Sequence, residues 1–337
     1  MNDHQPIAVR HYVWAGLDFM VDLSGRPVLL EANRASHMMS EYLRFHGNDR
    51  PFELVANVMN ACDGPPCLLW RQTDRETAAE EDACFIGVRL ARHLKQPPII
   101  CNVEENQSAG QTLVARGGAR VRPGSLFRWW YGLPTAVERA GARVINPNCA
   151  WLAVRDKLAC YAALEQAHSA GAAGKHGTPP TKPVHFRVPR AFPVERAQQA
   201  QRLIEGHSRL FGNGYVLKPR VGWGGQGVQI GNRGQPVQPF DGQYLLSERV
   251  IPPLVQGQFW EARVFVMDGH YLGGLCHVSD TPHTNFWRGG RPAALDPGLS
   301  AVLAPAALEA VSLLDAAAER FFASAAAEDS PLLRVEY

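Results

Sequence analysis

Tyr215-Val-Leu-Lys-Pro-Arg-Val-Gly-Trp-Gly-Gly-Gln-Gly-Val-Gln-Ile230 is the stretch on which the fold turns. Gly222, Gly224 and Gly227 spell G-x-G-x-x-G, the glycine pattern of a dinucleotide-binding turn. That turn needs a helix directly after it, so that the helix N-terminus meets the pyrophosphate. Here Val228-Gln-Ile230 reads as a strand, so the segment is a hairpin with Gly222, Gly224, Gly225 and Gly227 at its tip. Amides with no neighbouring Cβ can approach phosphate oxygens closely. Lys218 adds a point charge for the same phosphates. A flexible hairpin without a ligand is the competing reading. Gly174-Lys175 is followed by His176, with no Ser or Thr, and is therefore no P-loop.

A second cluster lies near the chain start. Asp18 is followed thirteen residues later by Glu31-Ala-Asn33. Val13 to Val21 and Pro27 to Glu31 read as strands joined by a turn at Asp22 to Gly25. Glu31 and Asn33 project to one face because the side-chain period of a strand is two, and Asp18 on the preceding strand can join them. Two carboxylates and an amide oxygen form a hard-oxygen set suited to Mg²⁺ carried by a nucleotide, with Mn²⁺ as an alternative ion. An exposed strand face with Asp18 and Asn33 capping turns would give the same pattern.

Between these clusters, Pro66 to Trp70, Ile99 to Val103 and Arg143 to Asn146 read as strands. Glu80 to Leu94 and Thr135 to Ala142 read as helices, which together suggest a small open α/β domain. Trp151 to Ala167 reads as a helix, His168 to Pro183 as a mobile Gly/Ala/Pro-rich loop, and Glu195 to Leu210 as a further helix. A β-rich region to Cys276, a loop to Leu299, a last helix over 305–322 and a final strand from Leu332 to Tyr337 complete the chain.

In this order the segments resemble the ATP-grasp superfamily. The 218–230 hairpin resembles its lid, and Arg155-Asp-Lys157-Leu the helix that gives a phosphate-contacting lysine. Val188-Pro-Arg190 is similar to the strand entering the lid domain. Leu245-Leu-Ser-Glu248-Arg-Val250-Ile251 is similar to the hinge strand that meets adenine. Glu261-Ala-Arg263-Val-Phe-Val resembles the D-x-R-V strand, and Asn285-Phe-Trp-Arg288-Gly289-Gly290 the N-x-x-x-G-G loop, of the branch with glutathione synthetase and ribosomal-protein glutamate ligases. That branch ends with a G-x-D … E-x-N strand pair, which here stands at Asp18, Glu31 and Asn33. The resemblance therefore implies an α/β (α+β) ATP-grasp fold that is circularly permuted, with its last catalytic strands at the N-terminus. Residues 1–48 would be those strands, 49–150 a preceding α/β domain, 151–245 the lid subdomain and 246–337 the catalytic subdomain that 1–48 completes.

The resemblance also implies roles. ATP would be held by Lys157, Lys218, the glycines at 222–227, Glu248 and Val250. The metal would sit on Asp18, Glu31 and Asn33, with Glu336 as a less fitting substitute for Asp18. Arg263 would face an acyl phosphate, supported by Lys218, Asn285 and Arg288. Arg34, Ser36, His283, Gly289 and Gly290 would meet substrate. A position that is often basic in relatives is His277, and the glutamate that usually holds ribose is not evident after Ile251. The implied activity is a carboxylate–amine ligase acting on two small molecules. A phosphotransferase and a non-catalytic nucleotide-binding module are the competing functions. Product identity would separate the first two, and the joint presence of these lysines and metal-binding residues weighs against the third.

Composition bounds these readings. Of 337 residues, 46% are hydrophobic and 20% charged, enough to fill a large core. Lys and Arg total 34 against 32 Asp and Glu, so the basic excess expected of a nucleic-acid binder is absent. No run of eighteen apolar residues and no apolar leader is evident, which predicts no membrane span and a cytoplasmic location. The seven cysteines are scattered and odd in number, which argues against a disulfide framework and a zinc site. Trp129-Trp130 suits packing beneath a loop better than stacking on substrate. A homodimer is compatible with all of this.

Overall fold

A computed structural model describes residues 5–33, 38–70, 86–102, 111–128, 135–172, 184–222, 225–284 and 288–327. The N-terminal strands β1 (Trp14–Val21) and β2 (Pro27–Asn33) form the expected antiparallel hairpin. Asp22 builds its turn, accepting hydrogen bonds from the Ser24 and Arg26 amides at 3.0 and 3.1 Å. The hairpin does not stand alone. β1 pairs antiparallel with β13 (Phe259–Met267), which pairs with β14 (His270–Ser279) and then β15 (Arg291–Ala294). The result is one five-stranded sheet, ordered β15-β14-β13-β1-β2, assembled from both ends of the chain.

Alternation along these strands sorts their residues onto two faces. Ala15, Leu17 and Phe19, with Ala262, Val264 and Val266, face the apolar layer containing α8 (Pro297–Ala327). Trp14, Phe265, Met267 and Leu275 face the other way, against α1 (Met38–His46) and α2 (Arg50–Asn60). Asp18, Glu261, Arg263 and His277 share the parity of this second face. It is therefore half apolar and half charged.

A second sheet, wholly parallel and ordered β4-β3-β7-β8, comprises β3 (Pro66–Trp70), β4 (Ile99–Asn102), β7 (Ser125–Arg128) and β8 (Arg143–Ile145). With α3 (86–91) and α4 (Thr135–Arg139) it makes the small open α/β unit that the periodicity suggests. Ile86, Leu90 and Leu94 are buried as their spacing requires. A two-stranded ribbon, β5 (Leu113–Val114) with β6 (Arg120–Val121), lies beside it.

The third sheet, β11-β10-β12-β9, holds the glycine hairpin. It consists of β9 (Ala191–Val194), β10 (Tyr215–Pro219), β11 (Gln229–Gly231) and β12 (Tyr244–Glu248), backed by α7 (Ala197–Gly206). β10 and β11 are antiparallel partners, so a strand and not a helix follows the glycines.

Three expectations change. The helix read at 151–167 is two helices, α5 (Asn148–Arg155) and α6 (Lys157–Ala172). Asp156 breaks them with extended backbone and caps the second, accepting from the Leu158 amide at 2.9 Å. The span read as a loop from His168 is helical as far as Ala172, and 173–183 lie outside the described residues. The loop read up to Leu299 contains β15, and α8 starts at Pro297, eight residues before the expected Pro305. Asp296 caps it, accepting from the Gly298 amide at 2.8 Å, with Pro297 at the first helical position where its missing N–H costs nothing. The span Pro297–Ala318 is also apolar and long enough to cross a bilayer by length and composition, although the sequence holds no unbroken apolar run. Here it is a core helix, with Leu303, Ala307, Val311 and Leu314 fully buried. The strand read at Leu332–Tyr337 and Glu336 lie outside the described residues, as do Trp129 and Trp130.

Candidate active site

The charged half of the five-stranded sheet is built by register. Asp18 on β1 stands opposite Arg263 on β13 and opposite Glu31 on β2. Glu261, two residues before Arg263, stands opposite His277 on β14. Arg263 grips Asp18 with two parallel hydrogen bonds, Nε to Oδ1 at 2.7 Å and Nη2 to Oδ2 at 2.9 Å. Its Nη1 donates to Glu41 of α1 at 2.8 Å. His277, fully buried, lies between Glu41 at 2.6 Å and Glu261 at 3.3 Å. Thr284 closes the network by donating to Glu261 at 2.8 Å.

Two lysines reach this face from outside the five-stranded sheet. Lys218 donates from β10 to the Leu30 carbonyl at 2.9 Å and to the Tyr161 hydroxyl at 3.1 Å. Lys157, at the start of α6, donates to the Gly222 carbonyl at 2.8 Å and lies 3.5 Å from Glu31. The root of the glycine hairpin is clamped nearby. Arg220 donates through two nitrogens to Asp156, and the Lys157 amide donates to the Arg220 carbonyl at 3.0 Å. Asp18, Glu31, Glu41 and Glu261 thus meet Lys157, Lys218, Arg263 and His277, four carboxylates against four cations.

This pairing sets the protonation states. Burial works against a charged imidazole at His277, but its bonds to Glu261 and Glu41 outweigh it and lift His277 to about 9. Burial alone would raise Glu41, yet the His277 bond and the Arg263 charge hold it down to about 2. Lys218 is pulled below its usual value by burial, against the opposing pull of Glu31 and Asp18.

The donor set fits a hard cation. Asn33 donates its amide nitrogen to Asp18 Oδ2 at 3.0 Å, so its own oxygen is turned elsewhere. Asp18 Oδ1 keeps a lone pair beyond its bond to Arg263, and Glu31 is partly open. Among the described residues no three acidic, imidazole or thiol groups form a metal cage. That suits an ion held by one or two carboxylates and completed by ligand phosphates, as Mg²⁺ commonly is.

Other residues named from the sequence are placed as follows. Gly225 and Gly227 take positive φ of 69° at the hairpin tip. A Cβ at Gly227 would come within 2.8 Å of the Tyr244 hydroxyl. Arg288 reaches the same tip, donating to the Gly225 carbonyl at 3.3 Å. Gly289 and Gly290 follow it, Gly289 with φ 96°. His283 is half-buried, and burial with the nearby Arg288 and Arg249 charges keeps its imidazole below the ordinary value. Val250 lies two residues beyond β12, outside any helix or strand. Arg34, Ser36, Gly224 and Asn285 lie outside the described residues.

Glu248 ends β12. Tyr215 pairs with Glu248 and Lys218 with Leu245, which puts Glu248 on the opposite face of this sheet from Lys218. Its carboxylate accepts from Arg187 at 2.6 Å and from the Arg190 amide at 2.9 Å. A cleft of about 700 Å³ lined by Arg190, His207, Arg209 and Glu248 opens there, away from the charged face of the sheet.

Glu41, Glu261, Tyr161 and Thr284 carry no assigned role in the sequence reading. Glu261 was legible, since Glu261-Ala-Arg263-Val alternates charged and apolar residues as a half-buried strand does. Glu41 was not. Nothing in Met38–His46 says which strand its helix covers.

No family model matches the chain, and no curated protein does. Solved structures do. A protein of Methylobacillus flagellatus KT, assigned provisionally as a gamma-glutamylcysteine synthetase, matches with a TM-score of 0.62 at 14% identity, over 94% of this chain and 91% of its own. D-alanyl-alanine synthetase A from Vibrio cholerae matches with a TM-score of 0.46 at 11% identity, over 74% and 81%. A glutathione synthetase-like effector from Globodera pallida matches with 0.40 at 11% identity, over 83% and 75%. At these identities the likeness is one of fold. Nearly the whole chain shares the mixed α/β fold of the first of them.

Proposed function

We propose that the protein is an ATP-dependent carboxylate–amine ligase. The observation that carries this reading is the convergence of Lys157, Lys218 and the glycine hairpin on Asp18, Glu31, Asn33 and Arg263. A carboxylate does not acylate an amine in water because its leaving group would be oxide. Phosphorylation removes that obstacle. A substrate carboxylate oxygen attacks the γ-phosphorus of ATP, the bond to the bridging oxygen breaks, and ADP leaves with the electron pair. The amine then attacks the acyl carbon and phosphate departs, the amine proton passing to solvent or to the phosphate.

The chain's own residues position these groups and stabilise charge. Lys157, Lys218 and the amides around Gly222–Gly227 bind the triphosphate. Arg263 offers the N–H groups it does not spend on Asp18 to the acyl phosphate and the later oxyanion. Arg288 ties its loop to the hairpin tip, so that lid and loop exclude water together. Asp18, Glu31 and Asn33 would hold Mg²⁺, whose chemistry is to neutralise the transferring phosphoryl group. In this reading the N-terminal hairpin is the terminal strand pair of the ATP-grasp fold, permuted to the chain start. Its seat beside β13, with Asp18 facing Arg263, supports that reading. Residues 49–150 form the preceding domain, and 151–245 and 246–337 the lid and catalytic subdomains.

The test is Mg²⁺-dependent release of ADP and free phosphate across pools of carboxylates with amines. Lys218→Ala is expected to raise the ATP requirement at least tenfold. Glu31→Gln is expected to abolish turnover while leaving ATP binding within a few-fold. Unchanged turnover in Glu31→Gln contradicts the metal assignment. ADP formed without free phosphate points to a phosphotransferase instead.

A further inference from the structure

Among the four carboxylates of the charged face, Glu41 alone comes from a helix, and no step above uses it. Its two oxygens divide between two cations, Arg263 Nη1 at 2.8 Å and His277 Nε2 at 2.6 Å. Those cations are otherwise shut from water, with side-chain exposures of 14% and 1%, whereas Glu41 is 25% exposed. Arg263 and His277 therefore form a cradle for a single carboxylate, open on the side that Glu41 fills.

Charge balance limits what can enter. With four carboxylates already gathered among these cations, a fifth in the cradle would bury a further anion, which is costly. One resident must leave. Asp18 is fixed by a bidentate bond and by Asn33, and Glu261 by His277 and Thr284. Glu31 touches neither Arg263 nor His277, so Glu41, which occupies the cradle itself and is 25% exposed, is the one that can be exchanged. Its helix is anchored independently, through buried Met39, Tyr42 and Leu43, so the side chain can swing out while α1 stays in place.

We propose that Glu41 is an intramolecular placeholder, filling in the ligand-free chain the position between Arg263 and His277 that a substrate carboxylate takes. Substrate binding exchanges one carboxylate for the other and leaves the charge count of the cradle unchanged. The ligase reading supplies only the identity of the incoming group; the exchange itself does not depend on turnover. A tethered competitor raises the apparent dissociation constant of any external carboxylate. Removing it must lower that constant.

Calorimetric titration with glutarate at pH 7, at matched ionic strength and without ATP, tests this. Glu41→Gln is expected to bind glutarate at least fivefold more tightly than the unaltered protein. Glu41→Gln combined with His277→Asn is expected to lose that gain. Glutarate binding unchanged or weaker in Glu41→Gln overturns the proposal, as does a gain that survives loss of His277. Should Glu41→Gln fail to fold, Glu41→Asp carries the test, because its carboxylate is too short to bridge both cations. A tighter glutarate constant is again expected, and an unchanged one overturns the proposal. Failure here with intact carboxylate-dependent ADP release would reject the placeholder alone. Tightening without turnover would reject the ligase reading alone.

Discussion

Arg263 is the residue on which the charged face depends. It satisfies Asp18 and Glu41 together, and removing one partner of a buried ion pair leaves the others desolvated without compensation. Arg263→Met is therefore expected to lower unfolding free energy by about 3–5 kcal/mol, measured by urea denaturation. A loss below about 1 kcal/mol, the range of exposed pairs, would mean that water reaches the site. His277 makes a distinct prediction through pH. Its folded value of about 9 lies above the ordinary 6.5, so its contribution is complete below 6.5 and is lost as pH rises through 9. The difference corresponds to about 3 kcal/mol. Stability should fall between pH 7 and pH 10, and His277→Asn should remove most of that slope. Of these residues, the sequence made Arg263 legible through its alternating strand. Glu41 could not be found, because its partnership spans 222 positions and rests on where a short helix lands.

At the scale of elements, one side chain gathers the backbone just before β1. Asp315 of α8 accepts from three consecutive backbone amides, those of Arg10, His11 and Tyr12, at 2.9, 2.7 and 2.6 Å. Hydrogen bonds to a charged group contribute more than neutral ones. Asp315→Ala is expected to cost about 2–4 kcal/mol and to speed proteolysis near residue 10. Unchanged protease sensitivity would show that the segment is held by packing instead. In the glycine hairpin, Gly227→Ala meets both an unfavourable φ and the Tyr244 hydroxyl. It should weaken ATP binding more than it lowers melting temperature. Elements with strong periodicity, such as β1, β2 and α7, were legible in the sequence. The helix break at Asp156 was not, because the apolar stripe continues through it. Capping by Asp156 and by Asp296 is spelled locally, yet each signal is outvoted by the surrounding pattern until the neighbouring elements are in place.

For the whole molecule, the decisive feature is that residues from both ends of the chain complete one sheet. The order of motifs made this legible, since the strand pair carrying Asp18, Glu31 and Asn33 reads as the completion of the sheet that carries Arg263. What the sequence could not supply was the register that sets Asp18 against both Glu31 and Arg263, because register follows from packing on two faces at once. The shared architecture with a solved structure over 94% of the chain speaks to fold, and the chemistry rests on the residues gathered at the charged face. That chemistry reduces to one claim, that the protein activates a carboxylate with ATP. Incubation with Mg·ATP, carboxylate pools and hydroxylamine tests it most directly. The account predicts an ATP-dependent hydroxamate from at least one pool, absent in Glu31→Gln. ADP formation with a stable phosphate ester, and no hydroxamate from any pool, would contradict it.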